Sequence, residues 1–164
     1  DNRTVEEADA RKTAAEVGLA AIKYGDLSNQ ASKDYIFDVD RFTSFEGNTG
    51  PYILYTIVRI KSILKKYAEN GGIAAENAAE KALMLQVLKF NEVIDTVYAE
   101  TAPHKLCAYI YDLANEFNKF YHETKILSEE DEAKKSGYIA LLNLAKKVLE
   151  TCIDLLGFTA PERM

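Results

Sequence analysis

Residues 34–59 read DYIFDVDRFTSFEGNTGPYILYTIVR, and this stretch decides how the rest of the chain is organised. In its first half Tyr35, Phe37, Phe42 and Phe45 alternate with acids and one arginine, which reads as an extended aromatic strip. Its middle, EGNTGP over 46–51, is a hinge of residues that break helices. Its second half opens a long helix at Pro51. Proline there gives up an amide that has no helical partner anyway, and Thr49 or Gly50 can cap the exposed amides that follow.

Downstream the pattern is helical throughout. Over 51–68, Ile53, Ile57, Ile60, Leu64 and Tyr67 recur at the spacing of one buried face, and Asn70-Gly71-Gly72 closes the helix. Arg59, Lys61, Lys65 and Lys66 lie mainly off that stripe. Two readings of them stand side by side: a solvated, dipole-matched face, or contacts to a phosphate backbone. Residues 76–101 read as one helix or two, with Ala79, Leu83, Val87 and Phe90 on one stripe. Asn91 is placed to cap a second helix through Ile94, Val97 and Tyr98. Pro103 starts the next helix, where Leu106, Ile110, Leu113, Phe117 and Phe120 form the clearest amphipathic pattern in the chain. The acids of 129–132 favour the start of a last helix over 133–156 with Ser128 as cap. That helix buries Tyr138, Leu141, Ala145, Val148, Cys152 and Leu155, and Gly157 ends it.

Upstream, Thr4-Val5-Glu6-Glu7 resembles a capping box, and a helix over 4–23 sets Val17, Ala21 and Tyr24 on one face. Gly25-Asp26 terminates it, and a close helix contact would account for Gly18 inside it. The buried face is mostly alanine, so residues 1–33 are expected to be the least protected part of the chain.

The 164 residues, 48% hydrophobic and 28% charged, fit one globular domain plus an appendage. No apolar run approaches the roughly 20 residues needed to cross a bilayer, and no signal sequence opens the chain, so a cytoplasmic setting is expected. Residues 1–50 carry six Lys/Arg against ten Asp/Glu (−4) and residues 51–164 carry fourteen against sixteen (−2), which sums to the net −6. Such an acidic balance argues against a non-specific nucleic-acid binder, though not against a local aromatic or basic patch. Cys107 and Cys152 fall in apolar stripes and read as buried free thiols.

Little here supports catalysis. No CxxC or paired histidines offer a metal site, no serine sits in a nucleophile elbow, and no glycine-rich phosphate loop is present. His104 beside Pro103 reads as a cap or surface group. A small helical enzyme using His122 and Glu123 is the weakest of three readings, behind a helical protein–protein interaction module and the one that follows.

The pattern FDxDRxxxFEGNTGPYxxYxxxR, carried by Phe37, Asp38, Asp40, Arg41, 45–52, Tyr55 and Arg59, resembles the segment of class I arginyl-tRNA synthetases that joins their catalytic domain to their helical anticodon-binding domain. AAIKYGDLS upstream is similar to their AIRYxDLS run. HKLCAYIYDLA over 104–114, NEFNKFY over 115–121 and LLGFTAPERM over 155–164 resemble their PHxLxxYLYxLA, xxFxxFY and LLGxxxPERM blocks. Leu54 and Thr56-Ile57-Val58 depart from the Gln and Ala-His-Ala that relatives often carry, so no polar role is transferred to those positions.

The resemblance implies an all-α helical bundle over 51–164 that binds the anticodon, preceded by an appendage over 1–50 that is the tail of the catalytic domain and its connecting segment. It implies a partner, the anticodon loop of an arginine tRNA, and a second, the catalytic domain of the same chain. It implies no membrane, no DNA and a monomer. Arginine would be activated with ATP in the full-length enzyme. Neither a HIGH-like nor a KMSKS-like signature occurs in these residues, so this chain is expected to bind no cofactor and to be inactive alone. Tyr121, Arg163 and Met164 would form one recognition surface, joined by Tyr55, Arg59 and Lys125, the last standing where some relatives have an aromatic. Stacking of an unpaired base on exposed aromatics reconciles an acidic chain with an RNA partner.

Overall fold

The computed structural model describes residues 7–67, 72 and 77–164, so the capping box at 4–7, the helix end at 70–72 and the helix start at 76 fall wholly or largely outside the described residues. Among the described residues seven helices follow in order: α1 (Glu7–Leu27), α2 (Val39–Thr43), α3 (Gly50–Leu64), α4 (Ala78–Leu88), α5 (Phe90–Glu100), α6 (Pro103–Glu123) and α7 (Glu132–Leu155). No strand occurs among the described residues. The all-α expectation holds.

Local chemistry starts most of these helices. Asp38 caps α2 by accepting from the Arg41 amide at 3.0 Å, Thr49 caps α3 through the Tyr52 amide at 3.2 Å, and Asn77 caps α4 through the Glu80 amide at 2.8 Å. Pro103 opens α6 as its position demands. Two expected caps are replaced. The carboxylate of Asp131, not Ser128, takes the amides of Ala133 and Lys134 at the start of α7, because an anionic oxygen one residue before the helix outcompetes a hydroxyl further back. Lys89, not Asn91, precedes α5, and it does so without any side-chain cap. The chain folds over directly there, ending α4 and starting α5 within two residues.

The core is one cluster shared by α1, α3, α4, α6 and α7. Ile53, Leu54, Ile57 and Ile60 of α3 and Leu113, Phe117 and Phe120 of α6 are fully buried. Helix α3 packs on α1 and α7, and α6 packs on α4, α5 and α7. Cys107 and Cys152 are buried free thiols whose pKa values burial pushes up to about 12, so both stay protonated and inert. One expected core residue is not core: Leu155 at the end of α7 is 60% exposed. Phe158 tucks back in its stead beyond Gly157 (φ +83°), whose positive φ turns the chain.

Around the organising stretch the structure departs from the sequence reading in three ways. The aromatic strip is not extended throughout: 39–43 form α2, and Tyr35 and Phe37 pack on Phe42 with ring centroids 5.9 and 5.0 Å away. The hinge is a fixed corner, because Thr49 Oγ1 donates to the Ser44 carbonyl at 2.6 Å while it caps α3. Finally, Gly25 does not end α1. It lies buried inside the helix, where a Cβ would overlap the Phe42 ring, whereas nothing comes within 4 Å of a Cβ at Gly18.

Helix α1 is therefore two things. Ala20, Ala21, Tyr24 and Gly25 are part of the interior, and the first two turns are exposed. Of the stretch 1–33 expected to be least protected, residues 1–6 lie outside the described residues, and the burial of Ala20, Ala21 and Tyr24 does not fit that expectation for the end of α1. Amide hydrogen exchange should instead rise steeply in protection along α1, fast over 8–16 and close to the global limit over 21–27. Equal exchange rates across the helix would contradict the packing.

Candidate nucleic-acid interface

Three of the expected recognition residues meet where α3 crosses α6. The Arg59 guanidinium lies over the Tyr55 ring at 4.7 Å and over the Tyr121 ring at 5.2 Å. Tyr55 and Arg59 are four residues apart and so share one face of α3, while Tyr121 comes from the last turn of α6. Tyr121 is rooted in the core by a tilted contact with Phe117 at 6.0 Å, and His122 packs edge-on against it at 5.7 Å. It is a core-edge tyrosine and a surface ring at once. Tyr55 is 43% exposed, so the row of π surfaces reaches solvent.

A polar network beneath the rings fixes their cation. Arg59 Nη1 donates to Asn118 Oδ1 at 2.6 Å and Nη2 donates to the Tyr55 hydroxyl at 3.0 Å. Asn118 Nδ2 donates in turn to the Tyr52 hydroxyl at 2.9 Å, which donates to Asn115 Oδ1 at 2.7 Å. Burial pushes the Tyr52 hydroxyl upward in pKa, against the opposing pull of Asn118, so it stays protonated and can serve as both donor and acceptor. Tyr52 was legible only as a motif letter, and Asn115 and Asn118 fall on open positions of the xxFxxFY block. The i, i+3 spacing of the two asparagines on α6 was the available signal, and it needed the facing helix to acquire meaning.

The remaining expected residues are not joined to this row. Lys125 is exposed on the loop after α6, with no hydrogen bond or ion pair among the described residues. Arg163 pairs with Asp9 of α1 at 2.6 Å, and no hydrogen bond, ion pair or ring contact links it to Tyr121. Met164 is 43% exposed. The basic residues of α3 divide as well. Arg59 faces α6, whereas the Lys61 side chain is only 10% exposed and reaches the C-terminal segment and Glu150 of α7. Its neighbour Lys65 stays largely in solvent.

This row offers flat aromatic faces and one clamped cation, a surface suited to unstacked bases rather than to bond making. Among the described residues no three His, Cys, Asp or Glu side chains converge as a metal would require, and no helix is long and apolar enough to cross a membrane.

Residues 53–164 match the family model of the DALR anticodon binding domain. The chain is 65% identical, over its whole length, to 29% of an arginine–tRNA ligase of Agathobacter rectalis, and 45% identical over 93% of its length to 27% of that of Maricaulis maris. It superposes on the arginyl-tRNA synthetase of Thermus thermophilus with a TM-score of 0.88 at 33% identity, over 93% of this chain and 27% of that one. The Plasmodium falciparum enzyme gives 0.84 at 31%, over 93% and 28%. The chain thus spans less than a third of the length of these relatives.

Proposed function

Since the chain belongs to the DALR anticodon-binding domain family, we propose that residues 51–164 recognise and position the anticodon loop of an arginine tRNA for an arginine–tRNA ligase of which this chain is one part. The observation that carries this reading is the Tyr55–Arg59–Tyr121 row, a preformed stacking surface with its cation held in place. Stacking accommodates any base and needs no basic domain, which suits a chain of net charge −6. Lys125, Arg163 and Met164 complete the proposed RNA surface. The part of the ligase outside this chain would handle ATP and arginine in the cytoplasm, with one copy of the chain acting per tRNA.

Residues 1–50 are read as the segment that seats the bundle on that other part. In support, Ile22, Ile36, Phe37, Val39 and Phe45 are each at least half exposed on α1, α2 and their loops. So many exposed large apolar side chains within one segment commonly mark a contact surface, and the longer relatives supply the chain to cover it.

Titration with an arginine tRNA at fixed salt tests the reading. Tyr55→Ala and Tyr121→Ala should each weaken binding by about 1–3 kcal/mol, the scale of one stacked base, and leave the salt slope unchanged because no phosphate contact is lost. Parent-like affinity in both variants would remove the row from the interface. A parent that binds arginine and other tRNAs alike, or none, would favour a protein–protein module instead.

A further inference from the structure

The C-terminal segment is held far more firmly than a chain end usually is. Lys23 Nζ donates to the Gly157 carbonyl at 2.7 Å, Phe158 is 3% exposed, and Pro161 is buried. Lys61 then grips the last turns. Its Nζ lies 3.1 Å from the Ala160 carbonyl, 3.4 Å from the Pro161 carbonyl and 2.8 Å from Glu162 Oε1, with Glu150 Oε1 at 3.4 Å. An ammonium carries three N–H donors, and here four oxygens, three of them from consecutive residues, compete for them. At 10% side-chain exposure its charge depends on those partners for the solvation it has lost. Neither sequence reading of Lys61 describes this: its partners are not the terminal carbonyls of α3, and it is not free to meet a phosphate. Glu162 also meets Lys65, at 3.6 Å. The hydrogen bond and charge of Lys61 hold the Glu162 carboxyl below the usual carboxylate range, so it stays ionised at neutral pH.

We infer that Lys61 is the positioning residue of the recognition surface: it clamps residues 160–162, and together with the Arg163–Asp9 pair this presents Arg163 and Met164 in one fixed direction. This rests on the proposed RNA role of the C-terminal pair. Lys61 itself does not touch RNA, because its donors are occupied by the chain.

Two measurements on the 164-residue chain test the clamp. The first needs no RNA. The chain has two methionines, and Met84 packs against the core while Met164 is exposed. In 13C-methyl NMR, Lys61→Met should collapse the Met164 signal to the narrow, averaged line of a free chain end and leave the original Met84 signal as an internal record of an intact fold. The introduced methyl is assigned by comparison with Lys61→Gln, which should release Met164 equally. An unchanged Met164 signal in both variants overturns the clamp. The second is a binding cycle with a synthetic anticodon stem-loop of an arginine tRNA. Lys61→Met and deletion of residues 163–164 should each weaken binding by about tenfold, the lower part of the range for one base contact. The combined variant should be no weaker than the deletion alone. Losses that multiply would mean that Lys61 contacts RNA directly and would overturn the assignment. If the parent fails to bind, the anticodon reading falls while the NMR comparison still decides the clamp.

Discussion

Gly50→Ala is expected to destabilise the chain by about 3 kcal/mol, the upper end of what overpacking a well-filled interior costs. Gly50, the first residue of α3, lies directly against the backbone of α1. A Cβ there would sit 2.5 Å from the carbonyl carbon of Ala20 and 2.9 Å from the amide nitrogen of Ala21. These are backbone atoms in the middle of a helix, so no rotamer change can make room and the two helices must separate. Separation would also lift Ala20 and Tyr24 from the core and disturb the Thr49 cap next door. Gly18→Ala is the internal control, because nothing lies within 4 Å of its Cβ. There alanine should stabilise by up to about 1 kcal/mol through helix propensity alone. Urea midpoints at constant m-value measure both changes. Two glycines of one sequence, replaced identically, should thus move stability in opposite directions, and a Gly50 variant as stable as the parent would refute the close crossing.

Tyr24→Ala should cost about 4 kcal/mol and Tyr24→Phe about 1–2 kcal/mol, by the usual scales for losing a buried ring and for stranding buried hydrogen-bonding groups. The Tyr24 ring is fully buried. Its hydroxyl donates to the Cys107 carbonyl of α6 at 2.8 Å and lies 2.7 Å from Asn48 Oδ1 in the corner before α3. Burial first, then the nearby Cys107, Tyr111 and Asp112, push its pKa far above the ordinary phenol, so it is a neutral donor at any working pH. One side chain therefore pins α1, the corner and α6 together. In Tyr24→Phe the Cys107 carbonyl and the Asn48 amide lose a buried partner while the shape is kept. In Tyr24→Ala a cavity opens as well. Exchange protection over 21–27 should collapse in the alanine variant before that of α6 does. If the two variants proved equally stable, the ring would not be packed as described.

What could be read from the sequence was local. Helix spans around Pro51 and Pro103, the Thr49 cap, the break at Gly157 and the stripes of α3, α6 and α7 depend on residues within a turn or two of each other, and the order of letters holds that information. The row formed by Tyr55, Arg59 and Tyr121 was legible only through the family resemblance, since nothing in the spacing says that the end of α6 meets the middle of α3. Tertiary structure alone decided what lies opposite a given residue. Gly18 and Gly25 are both helical glycines, yet only Gly25 faces an aromatic ring, and that ring is seventeen positions further on. Arg59 and Lys61 are two residues apart on one helix, which turns them to nearly opposite sides: one lies over two tyrosine rings and is held by Asn118, and the other clamps the end of the chain from about a hundred residues away. A charge or a glycine has no intrinsic role. Its free energy is set by the atoms that burial brings against it, and those come from the packing of helices whose individual patterns do not specify their neighbours.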